Sequence, residues 1–291
     1  MLLCLATVYV VWGTSYVATR VGVTALPPFL FGGLRFFMSG TLLLTIGFWR
    51  GFRVQQLRGQ WRHLVVISLL GVAICNGLQV WAMQWVPSNT SALLNASCAL
   101  WIVVFGLFGA RAHRPGARDI TGLLIGFVGT LLLMTPAHGA GAISTPLLPQ
   151  LALVSGCVVW SLATIYVRNF GMQLDLFAMV GLQMLLGGAM MLVFALLLHE
   201  PALWQWSRPG LLAMGYLVLV SSCCAYTAYT WLARHATPAQ ISTYSYVNPA
   251  IAAVAGYLAL NERMSGMQVI GAAVILAGVL LINWPVKSTA P

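Results

Sequence analysis

The 291-residue chain is 60% hydrophobic and 6% charged, with a mean hydropathy of +0.90. A soluble chain of this size carries about a quarter charged residues, so composition excludes a soluble globular protein and makes the lipid bilayer the surrounding solvent. The formal net charge of +10 would suit nucleic acid in a soluble protein. Here the basic residues sit in the connections between apolar segments, where they orient the chain, and nucleic acid is not a partner.

Ten apolar segments are predicted, at 2–22, 28–49, 64–85, 88–110, 120–136, 148–168, 176–198, 210–233, 238–260 and 266–284. Each is near the roughly 20 residues that cross about 30 Å of hydrocarbon. The first carries Trp12-Gly13-Thr14-Ser15 and lacks a basic leader, so it reads as a retained span and not a signal peptide. The second opens at Pro28 and carries Arg35 a quarter of the way in. Arg35 snorkels to the interface, pairs with carbonyls at a helix break, or attracts a carboxylate. The third holds Asn76 and Gln79, three apart and so on one helix face. The fourth holds Asn95 and, six residues later, Trp101.

The fifth segment is almost purely aliphatic and contains Gly122, Gly126 and Gly129. Its GxxxG pattern reads as helix packing within the chain, with a homodimer as the alternative. The sixth carries Trp160, Ser161 and Thr164, the eighth Tyr226 and Tyr229, and the ninth Tyr244, Tyr246 and Asn248. Pro249 lies inside the ninth, where it frees carbonyls and predicts a kink. The tenth is aliphatic like the fifth.

The chain says the same thing twice. Residues 10–20 lie over 158–168 at an offset of 148, 34–44 lie over 182–192, and 122–133 lie over 271–282. Each copy contains five segments, and an odd number forces two copies in one membrane to face opposite ways. The units are 1–136, a Gly/Ala/Pro-rich linker at 137–147, 148–285, and a tail at 286–291. Ten of the basic residues at span ends and in the connections lie on one side (Arg50, Arg53, Arg58, Arg62, Arg111, Arg114, Arg118, Arg168, Arg234, Lys287) against three on the other (Arg20, Arg208, Arg263). The positive-inside rule therefore places both termini in the cytoplasm. The expected fold is an all-α membrane protein of ten transmembrane helices in two inverted five-helix repeats.

Trp12-Gly13-Thr14-Ser15, Pro28 with Leu34-Arg35-Phe36, and Asn248-Pro249 followed by Leu260-Asn261-Glu262-Arg263, Gln268, Gly271 and Ile275 to Val279 together resemble the EamA-type branch of the drug/metabolite transporter superfamily. The likeness spans both halves and implies the drug/metabolite transporter fold, a carrier activity and a bacterial inner-membrane location. Many members export amino acids and related metabolites. The position of Glu262 is taken by Ala112 in the first copy, so the acidic motif has no symmetric role.

Polar side chains within spans are costly and face the interior. They single out the first, third, fourth, sixth, eighth and ninth segments as cavity walls, with the fifth and tenth at the rim. The candidate substrate-binding residues are Asn76, Gln79, Asn95, Trp101, Trp160, Thr164, Tyr226, Tyr229, Tyr244 and Asn248. All four acids, Asp119, Asp175, Glu200 and Glu262, are at segment ends, as are the five histidines. The six cysteines show no metal-ligand spacing. No cofactor, metal or catalytic group is expected. The reading is a secondary carrier exporting or exchanging small zwitterions, amino acids foremost and aromatic and apolar ones among them, by alternating access without a built-in proton relay. The alternatives are a carrier for nucleotide sugars or lipophilic drugs, and a membrane enzyme or non-transporting membrane protein.

Overall fold

The computed structural model describes residues 1–112, 114–133, 146–170, 174–260 and 266–283. The tail at 286–291, most of the 137–147 linker, and Asn261, Glu262 and Arg263 lie outside the described residues.

Among the described residues the chain is helical, with no strand. The helices are α1 (Leu2–Ala25), α2 (Pro28–Trp49), α3 (Trp61–Ala82), α4 (Ser88–Asn95), α5 (Cys98–Gly106), α6 (Ala117–Leu133), α7 (Leu147–Phe170), α8 (Leu176–Leu197), α9 (Arg208–His235), α10 (Pro238–Ser242), α11 (Tyr244–Leu260) and α12 (Gly266–Asn283). Six of them, α1, α2, α3, α7, α8 and α9, are long and apolar enough to cross a membrane. Proline sets their boundaries. Leu26 is extended (φ −137°, ψ 151°) because the residue after it is Pro27, and Pro28 then opens α2 where a missing N–H costs nothing.

The fourth and ninth predicted segments are not continuous helices. The first of these breaks at Ala96-Ser97 into α4 and α5, and the second at Thr243 into α10 and α11. At each break a short polar side chain bonds a carbonyl of the preceding turn: Asn95 Nδ2 donates to the Ser91 carbonyl (2.9 Å) and the Thr243 hydroxyl to that of Gln240 (2.6 Å). Such bonds compete with helical continuation. Pro249 itself lies inside α11, so the interruption falls six residues before the expected position.

A second irregularity is shared by the two copies. α3 is wound as a π-helix over Leu69–Ile74 and α9 over Leu217–Tyr226. π-turns appear mostly as single insertions near functional sites, and here they occupy matching places in both halves.

Packing repeats the same duplication. Among the described residues α2 lies on α8 in the most extensive helix pairing, and α6 on α12 in the next. In each case the partners are the corresponding helices of the two copies. The α2–α8 contact is antiparallel and built on glycine, with Gly33 against Leu192, Gly40 against Leu185 and Gly181, and Gly47 against Ala178. Gly122 meets Gly278 and Ile282, and Gly129 meets Gly271 and Ile275, again antiparallel. The GxxxG face of α6 is thus covered from within the chain. α1 packs on α9 and α11, while α7 packs on α3 and α5. Every one of these contacts has its counterpart with the copies exchanged. The outer faces of α6 and α12 are exposed at Leu124, Val128, Val269, Ile270, Leu276 and Leu280, at the rim of the bundle.

Candidate functional site

The two tryptophans matched by the repeat meet in the buried core. Trp12 of α1 and Trp160 of α7 stand edge to face with ring centroids 5.6 Å apart. Three tyrosines close the cluster. Trp12 contacts Tyr226 (6.1 Å), Tyr229 (4.9 Å) and Tyr244 (5.3 Å), while Trp160 contacts Tyr226 (5.4 Å) and Tyr229 (5.0 Å). The two pairs with Tyr229 are tilted and the rest edge to face, and edge-to-face rings at these separations attract one another.

Their polar ends are tied down. The Trp160 indole N–H donates to the Tyr229 hydroxyl (3.0 Å), which also bonds Thr164 Oγ1 (2.7 Å). Trp12 Nε1 donates to the Ser221 carbonyl (3.4 Å), and Gln183 Nε2 to the Tyr226 hydroxyl (2.7 Å). The π-wound turn of α3 matters here. Its Gly71 carbonyl accepts from Asn76 Nδ2 (2.9 Å) and from the Tyr226 hydroxyl (3.4 Å).

Against this cluster lies a cavity of about 70 Å³, room for roughly five waters. Of the sequence candidates, Asn76, Gln79, Asn95, Trp160, Tyr226 and Tyr244 border it, together with Trp12, Ser15, Tyr16, Thr19, Arg35 and Ser221. Thr164 and Tyr229 border a smaller void of about 20 Å³ on the far side of Trp160 and Tyr226. Two candidates stand apart from both. Trp101 stacks on Phe105 one turn along α5 (6.0 Å). Asn248 is buried, and in the amide orientation that satisfies its neighbours it donates to the carbonyls of Tyr9 (3.2 Å) and Tyr244 (3.1 Å), joining α11 to α1.

Of the three settings the sequence left open for Arg35, the structure removes the first. Only 8% of it is exposed, so it does not snorkel. Its Nε donates to Ser222 Oγ (2.9 Å) and an Nη to Ser221 Oγ (3.0 Å), with the Phe36 ring 4.7 Å from the guanidinium carbon. The serines come from the π-wound part of α9, which lies against α2. The repeat partner of Arg35 in the 34–44 over 182–192 register is Gln183, which donates to Tyr226. That register made both positions polar and was the available signal for the pair.

Away from the centre, a cleft of about 1040 Å³ opens between α3, the C-terminal half of α8 and the α1–α2 corner. It is walled by Ala73, Gly77, Trp81, Met191 and Phe194, on the opposite face of α3 from Asn76 and Gln79. Glu200 borders it and caps α2, accepting from the backbone N–H of Leu30 (2.6 Å) and Phe29 (3.3 Å). Burial raises the Glu200 carboxyl above its ordinary value, and those two donors oppose the shift. No group of three metal-ligating side chains occurs among the described residues.

Membrane-crossing helices gathered around a small chamber of rings, amides and hydroxyls form a polytopic carrier-type membrane protein. The EamA-like transporter family matches residues 1–135 and 147–284, and the chain belongs to that family. The uncharacterized inner membrane transporter YedA of Escherichia coli is 30% identical over 277 residues, covering 94% of this chain and 88% of its own length. The uncharacterized transporter YvbV of Bacillus subtilis is 24% identical over 288 residues, covering 98% and 92%. A protein of known crystal structure shares the fold with a TM-score of 0.80 at 24% identity, covering 97% of this chain and 95% of its own. The chain is a transporter of the inner membrane and not an enzyme.

Proposed function

We propose that the chain is a ten-span carrier of two inverted repeats, 1–136 and 148–285, joined at 137–147, with the 286–291 tail and the N-terminus in the cytoplasm. It exports or exchanges small zwitterionic metabolites, amino acids foremost, by alternating access. Inversion is supported by the antiparallel contact of corresponding helices, α2 with α8 and α6 with α12, the arrangement a two-fold axis in the membrane plane produces.

The observation that carries the substrate reading is the chamber itself. Rings and amides can enclose a small apolar side chain while hydrogen-bonding the polar end. A volume near 70 Å³ suits a short amino acid. An aromatic one needs the chamber joined to the void behind Trp160 and Tyr226. Asn76, Gln79, Asn95, Tyr226 and Tyr244 contact the solute, while Thr164 and Tyr229 hold Trp160 in place. Among the described residues no carboxylate borders the chamber, and proton relays in pumps use such groups at depth; this supports exchange or facilitated diffusion. One observation favours a lipophilic solute instead: the apolar cleft behind α3.

Counterflow in proteoliposomes over the twenty amino acids tests this. Exchange of several short amino acids is expected, reduced by Gln79→Ala and unchanged by Trp101→Ala, which lies outside the chamber. Failure to exchange any amino acid refutes the substrate class, and uptake concentrated by a pH gradient refutes the uncoupled mechanism.

A further inference from the structure

We infer that Arg35 is the anchor for the substrate's carboxylate, and that the chamber is polarised to hold a zwitterion in one orientation. The inference rests on the amino-acid reading above and assigns it a recognising group.

Three observations carry it. First, Arg35 is a buried cation that makes no ion pair among the described residues; its protein partners are the hydroxyls of Ser221 and Ser222 and the face of Phe36. A guanidinium has five N–H donors in a rigid fork, and two are used. A charge kept in the membrane interior against neutral partners is expensive and persists where function requires it.

Second, the fold does not need a charge at this position. In the other copy the matching residue is Gln183, whose neutral amide bonds the Tyr226 hydroxyl and the Ile67 carbonyl (3.4 Å). An amide therefore suffices to link α8 to its neighbours, and the charge of Arg35 is an addition to the symmetric scaffold.

Third, Arg35 borders the chamber together with acceptors of opposite preference. Asn76 has its amide nitrogen engaged by the Gly71 carbonyl, which leaves its oxygen, with no protein donor among the described residues, as an acceptor. The aromatic residues Trp12, Tyr226 and Tyr244 line the same space. An ammonium is stabilised by carbonyl oxygens and ring faces, and a carboxylate by the planar fork of arginine. One arginine supplies a single bidentate clamp. That matches one carboxylate and falls short of the cationic cluster a phosphorylated sugar requires.

The test uses the purified full-length chain and matched probes: the twenty amino acids and their primary amides, which keep the ammonium and side chain but lose the anion. Binding is read as ligand-induced thermal stabilisation, and transport as inhibition of counterflow. The amides are expected to act at least ~10-fold more weakly than the acids in the wild type. Arg35→Gln imitates the other copy and is expected to weaken the acids by roughly 10- to 100-fold while leaving the amides unchanged. Arg35→Lys, which keeps the charge without the fork, is expected to fall between. Elution volume and the melting point without ligand report folding, and the acid–amide comparison in the wild type needs no variant.

Equal action of acids and amides, or wild-type affinity of folded Arg35→Gln for the acids, overturns the anchor while the carrier reading stands. Silence of every acid and amide removes the amino-acid reading and the anchor together.

Discussion

Gly40→Ala adds one methyl group where α2 and α8 touch backbone to backbone. A Cβ built there lies 2.7 Å from the Gly181 carbonyl oxygen and 2.8 Å from Leu185 Cα, and is closer still to the Leu185 nitrogen. Backbone atoms cannot rotate aside, so the two helices must separate. Overpacking of this kind costs about 1–3 kcal/mol, and the rigid neighbours place Gly40→Ala toward the upper end. Gly215→Ala makes the same chemical change on α9 where nothing beyond the helix's own neighbouring backbone lies within 4 Å. There only the helical preference for alanine acts, a gain of up to about 1 kcal/mol. Unfolding of the purified protein in mixed detergent, followed by circular dichroism, gives both values. The expected result is opposite signs for one substitution at two sites. A Gly40→Ala protein as stable as the wild type would show that the α2–α8 contact does not depend on close backbone approach.

Two further outcomes follow from the helix ends. Asp175 accepts from the backbone N–H groups of Phe177 (3.0 Å) and Ala178 (3.2 Å) and pairs with Arg50 Nε (3.1 Å), the two side chains being 22% and 56% exposed. Capping by Asp is worth about 1 kcal/mol and an exposed ion pair about 0.2–1. Asp175→Ala should therefore lower stability more than Arg50→Ala in the same titration; equal losses would assign the effect to the ion pair. Glu200 has its carboxyl raised by burial, so the folded chain keeps that proton to higher pH than the unfolded chain. Stability should decline as pH rises from the ordinary glutamate value of about 4.3 through the raised one. Glu200→Gln should flatten that slope in melts across the range, and an unchanged slope would remove Glu200 as its source.

Periodicity and the internal repeat picked out much of the chamber's lining. The offset of 148 pairs Trp12 with Trp160, and the two rings meet in the buried core. The i, i+3 spacing of Asn76 and Gln79 places both on the chamber wall. Aliphatic runs marked the fifth and tenth segments as peripheral, where α6 and α12 expose their outer faces. Trp101 was as polar-tipped and as deep as Trp160, yet its helix turns it toward Phe105. Nothing in a single sequence distinguishes those two faces of an apolar segment.

By itself, the sequence determined the solvent, the helical class, the duplication and the family, because each depends on composition and on spacing along one chain. Tertiary structure alone decided the setting of Arg35. Depth counted from Pro28 put it near an interface. Its burial comes from Ser221 and Ser222, which lie 186 and 187 positions away in the other half. They belong to a stretch of α9 wound as a π-helix, and neither that winding nor the partner it faces is encoded in the local pattern around Arg35. Local preference sets which segments are helices; what a buried charge meets is set by how distant helices pack.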